Sequence, residues 1–229
     1  MTDLKGMINK KLLIYAAVIL AIVFAVYYIY NKELKIGDNN GAGTVINPFE
    51  NLVIPEDVDE ATRVVMQTKI DNTKAMYEDK PDIWETWIAI GNLKVLLGDY
   101  EGAIAAYRES ISLQSNNILG YRNIAEVYKN NLRDYEKAQE FYGLAIEVNP
   151  LDPESYIAKA LIEEFQLNDI ESAERAYLAG LAKTGNNFEI LNRALIFYER
   201  NNQPQKAAEI QKKINELYPD SAAAQEINL

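Results

Sequence analysis

The feature that most constrains this chain is a repeat. Gly91, Ala125, Ala160 and Leu195 stand 34, 35 and 35 residues apart, and Ala103, Ala138, Ala173 and Ala207 recur at 35, 35 and 34. A tyrosine follows each of the first three alanines by four residues, as Tyr107, Tyr142 and Tyr177. A fixed period of this size means one supersecondary unit stacked on copies of itself, because so short a unit cannot bury its apolar face alone. Gly91 makes the same point locally. It lies inside "WIAIGNLKVLLGDYEGAIAAYRESI", a run that reads as helix, where glycine costs about 1 kcal/mol relative to alanine. Such a glycine is expected where a second helix presses too close for a side chain.

Read unit by unit, the chain gives Trp87, Ile90, Gly91, Ala103 and Tyr107, then Tyr121, Ile124, Ala125, Tyr128, Ala138, Tyr142 and Pro150. The third unit gives Tyr156, Ala160, Ala173 and Tyr177, and the fourth Leu191, Ala194, Leu195, Tyr198, Ala207 and Pro219. This resembles the tetratricopeptide repeat (TPR), whose pattern is W-x2-L-G-x2-Y, then A-x3-F, then P. The resemblance covers residues 84–219. It implies an all-α, right-handed superhelical array of about four helical hairpins. Small residues would let helix A approach helix B, and the aromatics would fill the space between hairpins. The sequence departs from the pattern at Lys94, at Lys159 and Glu163 in the third helix A, at Gly185, and at Gln211, which replaces the last aromatic. The fourth unit reads as a terminal repeat with a more solvated outer face.

Turn signals divide the units in the same way. "LGDY", "NNLRDY" and "LNDI" each supply a helix stop or an Asp or Asn start, and the second and third units carry one extra residue there. Ahead of the array, residues 57–80 predict a capping helix, with Val58, Ala61, Val65, Thr68 and Ala75 on its inner face. Behind it, residues 220–229 form a tail that either folds back as a cap or frays.

Composition removes most enzyme classes. The chain has no cysteine and no histidine, hence no disulfide, no thiol chemistry and none of the commonest general base and metal ligand. No metal, cofactor or catalytic residue is expected. The carboxylates Glu163, Glu164, Asp169, Glu171 and Glu174 raise a paired-carboxylate enzyme as an alternative, against which they read as a solvated helix face.

"LLIYAAVILAIVFAVYYIY", residues 12–30, contains no charge, glycine or proline. A helix of this length spans roughly 28 Å, about the hydrocarbon thickness of a bilayer. Tyr15 at one end and Tyr27, Tyr28 and Tyr30 at the other suit the interfacial belts. A cleavable signal peptide is the rival reading, but it needs a shorter apolar core and a small-residue cleavage site. The expectation is a single-pass anchor with residues 1–11 cytoplasmic, residues 31–56 as a flexible linker, and the repeats outside the cytoplasm of a bacterial-type inner membrane. Lysines before the span outnumber those just after it only slightly, so orientation rests on a small bias. Ala17, Ala21 and Ala25 form a small-residue line available for weak self-association, or simply reflect good helix propensity. With a net charge of −11, nucleic acid is an unsuitable partner.

TPR hairpins characteristically hold protein or peptide partners on the concave surface lined by helix A. The resemblance turns Ile88, Asn92, Val95 and Leu96, then Arg122, Asn123, Glu126 and Lys129, toward that surface. From the third and fourth units come Ile157, Leu161 and Phe165, and Asn192, Arg193 and Ile196. Asn92 and Asn123 either pair with a bound peptide backbone or bond their own neighbours. They occupy two of the five places of the family's carboxylate clamp, but Ile88, Glu154 and Ala158 hold the other three, so no clamp is expected. The functional expectation is a membrane-anchored scaffold or adaptor, chaperone-like or acting in envelope-complex assembly. The alternatives are an import-type receptor with cytosolic repeats and an oligomeric assembly factor using the convex face.

Overall fold

The computed structural model describes residues 47–50 and 52–221. Among the described residues the structure is all α, with no strand. A first helix, α1 (Glu60–Asp79), precedes four hairpins. These are α2 (Trp84–Leu96) with α3 (Tyr100–Leu113), and α4 (Ile118–Val127) with α5 (Tyr135–Val148). They continue as α6 (Pro153–Phe165) with α7 (Ile170–Lys183), and α8 (Phe188–Arg200) with α9 (Pro204–Leu217). Each helix packs on its neighbours in chain order.

Apart from α2 and α9, which begin without a side-chain cap, the helices start where the sequence supplies an acceptor for their free N–H groups. Asp99, Asp134 and Asp169 accept from the backbone N–H of Gly102, Lys137 and Ser172 at the starts of α3, α5 and α7. Asn117, Asp152 and Asn187 do the same for α4, α6 and α8. Each hairpin turn holds one left-handed residue, Gly98, Arg133, Asn168 and Asn202, with φ of 80°, 55°, 52° and 53°. The extra residue of the middle units is visible in how these turns close. The N–H of Asp99 donates to Lys94 and that of Gln203 to Tyr198, whereas Asp134 reaches Tyr128 and Asp169 reaches Glu163, one residue further back. In the second unit the insertion widens the end of α4 into a π-helical turn, Tyr128–Leu132.

The repeat positions form the core. Ala103, Ala125, Ala138, Ala160 and Ala173 are fully buried between helices, and Ala207 nearly so. Tyr107, Tyr142 and Tyr177 are buried, each ring stabilising by on the order of 2 kcal/mol. Tyr156 is buried with them, while Trp87 and Tyr121 are half-buried. The Trp87 indole N–H donates to the Pro81 carbonyl at 2.8 Å. At the far end Tyr218 packs on Phe188, with ring centroids 5.0 Å apart, and closes the last hairpin.

Several expectations need correction. The inner face of α1 is Met66 and Ile70 with Thr73 and Tyr77, while Ala61, Val65, Thr68 and Ala75 are exposed. A ladder of rings sets this rotation: Tyr77 meets Phe49 at 5.5 Å and Trp87 at 5.8 Å. The end of the expected linker is therefore packed rather than free, with Arg63 also donating to the carbonyls of Pro55 and Glu56. Lys94 is buried because its ammonium donates to Asp99 at 2.6 Å.

The apolar stretch 12–30 with Ala17, Ala21 and Ala25, residues 1–11, most of the linker and residues 222–229 lie outside the described residues. Among the described residues, no helix is long and apolar enough to cross a membrane.

Candidate functional site

Helices α2, α4, α6 and α8 line one side of the array, and side-chain pairs fix how the last three run. Arg122 of α4 meets Asp152 at 3.5 Å and also pairs with Glu154, both at the N-terminal end of α6. Arg200 of α8 donates to Glu164 at 2.7 Å and lies 4.6 Å from the centre of the Phe165 ring, at the C-terminal end of α6. The three helices thus run parallel, end beside end.

Two depressions open along this side. The smaller, about 240 Å³, lies between α2 and α4 and is lined by Asn92, Val95, Asn123, Glu126, Asn130 and Asn131. The larger, about 640 Å³, has the face of α6 as its floor, Ile157, Ala158, Leu161 and Phe165. Its walls carry Lys129, Arg133 and Tyr135 on one side and Glu189 on the other. Leu96 and Asn92 also border a third recess, about 410 Å³, against Lys69 and Thr73 of α1.

The expected groove residues divide by what already occupies them. The Asn92 carbonyl accepts from the Tyr107 hydroxyl at 2.7 Å, leaving only its amide N–H groups uncommitted. Asn123 makes no hydrogen bond with another described side chain. Arg122 is committed to Asp152 and Glu154 at the start of α6 rather than free to meet a partner. Glu126 accepts from Lys129 at 2.7 Å, from Asn130 at 2.6 Å and from the Tyr142 hydroxyl. Burial would raise its carboxyl, but the bonds from Lys129 and Tyr142 outweigh that and hold it below the usual range. Burial and the Glu126 carboxylate in turn push the Tyr142 phenol well above its usual value.

Ile88 packs against the core formed chiefly by α3, α4 and α5, and Ile157 is only 6% exposed, so it belongs as much to the core as to the floor. Phe165 is 53% exposed. Asn192, Arg193 and Ile196 line none of the three depressions. Asn131, Arg133 and Tyr135 are absent from the sequence expectation, since they follow helix A. The inserted residue and the π turn carry them into the site, and the one sequence signal for this is the longer internal turn.

The carboxylate group does not form one solvated face. Glu163 and Glu164 are 2% and 6% exposed, the first paired with Lys159 and the second with Arg200. Asp169 caps α7, Glu171 pairs with Arg175, and Glu174 accepts from Tyr198 and Lys206. Each has a structural partner on a different neighbour. No constellation of acidic side chains among the described residues could hold a metal ion.

Comparison with known proteins agrees with this architecture. A model described as TPR repeat matches residues 91–131, and one described as tetratricopeptide repeat matches residues 121–150. Among solved structures, the crystal structure of MamA is similar at 17% identity, covering 69% of this chain and 91% of that one, with a TM-score of 0.52. A tetratricopeptide repeat protein from Parabacteroides merdae is similar at 18% identity and a TM-score of 0.51, over 70% of this chain and 63% of that one. MamA from Desulfovibrio magneticus, from its residue 41 onward, is 16% identical over 71% of this chain and 96% of that one, with a TM-score of 0.50. Residues 91–150 therefore match tetratricopeptide-repeat models, within an all-α helical-repeat fold of the kind seen in TPR proteins.

Proposed function

We propose that this chain is a non-enzymatic scaffold that holds a protein or peptide partner on the face lined by α2, α4, α6 and α8. Residues 12–30 anchor it in a membrane, with the repeats on the extracytoplasmic side. Stacked repeats build extended concave surfaces suited to such binding, and the repeats here leave two adjoining depressions open on one side. The observation that carries the reading is the floor of the larger one. Phe165 stays exposed while Arg200 stacks on its ring and Glu164 and Asn201 hold the neighbouring groups in place. An aromatic fixed in this way is a preorganised anchor, which loses little side-chain entropy when a partner covers it.

A photoreactive residue placed at Phe165 in the membrane-bound protein tests the binding face, with one at the exposed Glu136 on α5 as control. Capture of a discrete partner from Phe165, lost with Leu161→Arg, is the expected result. Capture from Glu136 alone would move the binding surface to the other side. For the anchor, the protein is expected to resist alkaline carbonate extraction and to keep its N-terminus. Recovery of a chain that starts after Tyr30 would show cleavage instead.

A further inference from the structure

We infer that the cleft over α6 is polarised along its length and selects peptide segments in which an apolar residue adjoins an acidic one, with a basic residue about five positions away. This rests on the concave-face reading and specifies the chemistry of its ligand. Most charges around the cleft cancel in pairs: Glu154 with Arg122, Glu126 with Lys129, and Glu164 with Arg200. Two lining charges do not. Arg133 and Glu189 are exposed and make no ion pair among the described residues.

They lie at opposite ends. Arg122 stands beside the start of α6, α4 runs parallel to α6 from there, and Arg133 closes the π-helical turn at the far end of α4, in the same cleft lining as Phe165 and Gln166. Arg133 is therefore near the Phe165 end of the floor. Glu189 sits in the first turn of α8, a helix whose other end, Arg200, meets Phe165. The eleven helical steps from Glu154 to Phe165 rise roughly 16 Å, the length of about five extended residues. Apolar exposure is graded the same way, from 6% at Ile157 to 53% at Phe165, so the apolar anchor of a ligand belongs next to the cation. In a chain of net charge −11, a local positive site is what would allow an acidic residue to approach.

The test uses a fluorescent peptide, Asp-Leu-Ser-Ala-Ser-Lys, titrated with the full chain in detergent micelles. Wild-type protein is expected to bind it at least fivefold more tightly than Arg133→Glu. The neutral variant Arg133→Asn, which keeps a residue that tolerates the left-handed turn, should fall between them. Replacing the peptide's Asp by Lys should restore binding to Arg133→Glu, and Glu189→Lys should weaken binding of the original peptide. Equal affinity across the Arg133 variants, with binding abolished by Leu161→Arg, overturns the polarity and leaves the cleft as the binding face. Binding unaffected by Leu161→Arg removes the cleft reading as well. Failure of wild-type protein to bind the peptide at millimolar concentration also overturns the inference, while the photocrosslinking at Phe165 tests the broader reading by itself.

Discussion

The ring of Tyr107 lies directly over the α-carbon of Gly91. A Cβ built there would stand 2.3 Å from Tyr107 Cε1 and 2.6 Å from Cδ1, inside the space of a ring that is itself buried. Gly91→Ala gains about 1 kcal/mol of helix propensity but must displace a ring whose hydroxyl is tied to Asn92. Overpacking costs about 1–3 kcal/mol, so net destabilisation is expected. A Cβ added at Gly143 in α5 would meet nothing within 4 Å beyond its own helix, and Gly143→Ala should stabilise by about 0.4–1 kcal/mol. Opposite shifts in denaturation midpoint check both, and a stabilising Gly91→Ala would mean the ring is free to move.

Ala138 extends the test to the B helices. It is fully buried between α4 and α5, so Ala138→Leu should cost about 1–3 kcal/mol. Glu136→Leu, at an exposed position on the same helix, should leave the melting temperature nearly unchanged. Equally mild effects would show that the interface at Ala138 accommodates volume.

The cap aspartates should give graded losses. Asp134→Ala removes a cap worth about 1 kcal/mol. Asp99→Ala also strands the buried Lys94 ammonium, so a loss of about 2 kcal/mol or more is expected. Burial opposes ionisation at both sites, but the bonds from Lys94 and Gly102 to Asp99, and from Lys137 to Asp134, lower their carboxyls below the usual value. Their stabilisation is thus complete above the unfolded value of about 4 and lost as pH falls through the lower folded values. Acid denaturation curves of Asp99→Asn should show less pH dependence below about pH 4 than wild type.

Four tyrosines should resist alkali. Burial pushes Tyr107 and Tyr177 up to about 12, and Tyr142 and Tyr198 higher still, the latter two also by the Glu126 and Glu174 carboxylates. A group with a raised folded value contributes stability below its unfolded value, about 10, and loses it as pH rises through the folded one. Ultraviolet titration should show these phenols ionising late and together with unfolding. Their titration with the exposed tyrosines in a still-folded protein would count against the packing described.

Much of this was legible because the period fixes small and aromatic residues at equivalent places, and those places are set by close helix contact. Ala103, Ala138 and Ala173 could be read directly for that reason. The face of α1 could not. Its two apolar stripes are of similar strength, and the choice between them depends on Phe49 and Trp87, which flank it in sequence but meet Tyr77 only in space. The lining of the depressions was legible in part on α2, α4 and α6, but not on α8, where Glu189 lines the cleft and Asn192, Arg193 and Ile196 do not, nor beyond the helices. Arg133 and Tyr135 enter through a single inserted residue, and Arg122 and Glu164 are silenced by partners 32 and 36 residues away. Pairing at such a distance leaves no local trace.

These pairings change which substitution best probes the groove. Asn92→Ala would remove the acceptor of the Tyr107 hydroxyl, so loss of partner affinity would come with about 1 kcal/mol of lost stability. Arg122→Glu would set a third carboxylate beside Asp152 and Glu154, and it should destabilise the contact between α4 and α6 whatever the partner's charge. Asn123 has no such commitment. Its amide offers both donors and acceptors to a peptide backbone, within the same depression as Asn92 and Glu126. An unpaired amide in a covered groove costs about 1–3 kcal/mol, so Asn123→Ala should weaken partner binding about tenfold with an unchanged melting temperature. Titration of the captured partner against Asn123→Ala and Leu161→Arg separates the two depressions. Loss with Leu161→Arg alone would confine binding to the α6 cleft, and loss with both would place one partner across α2, α4 and α6.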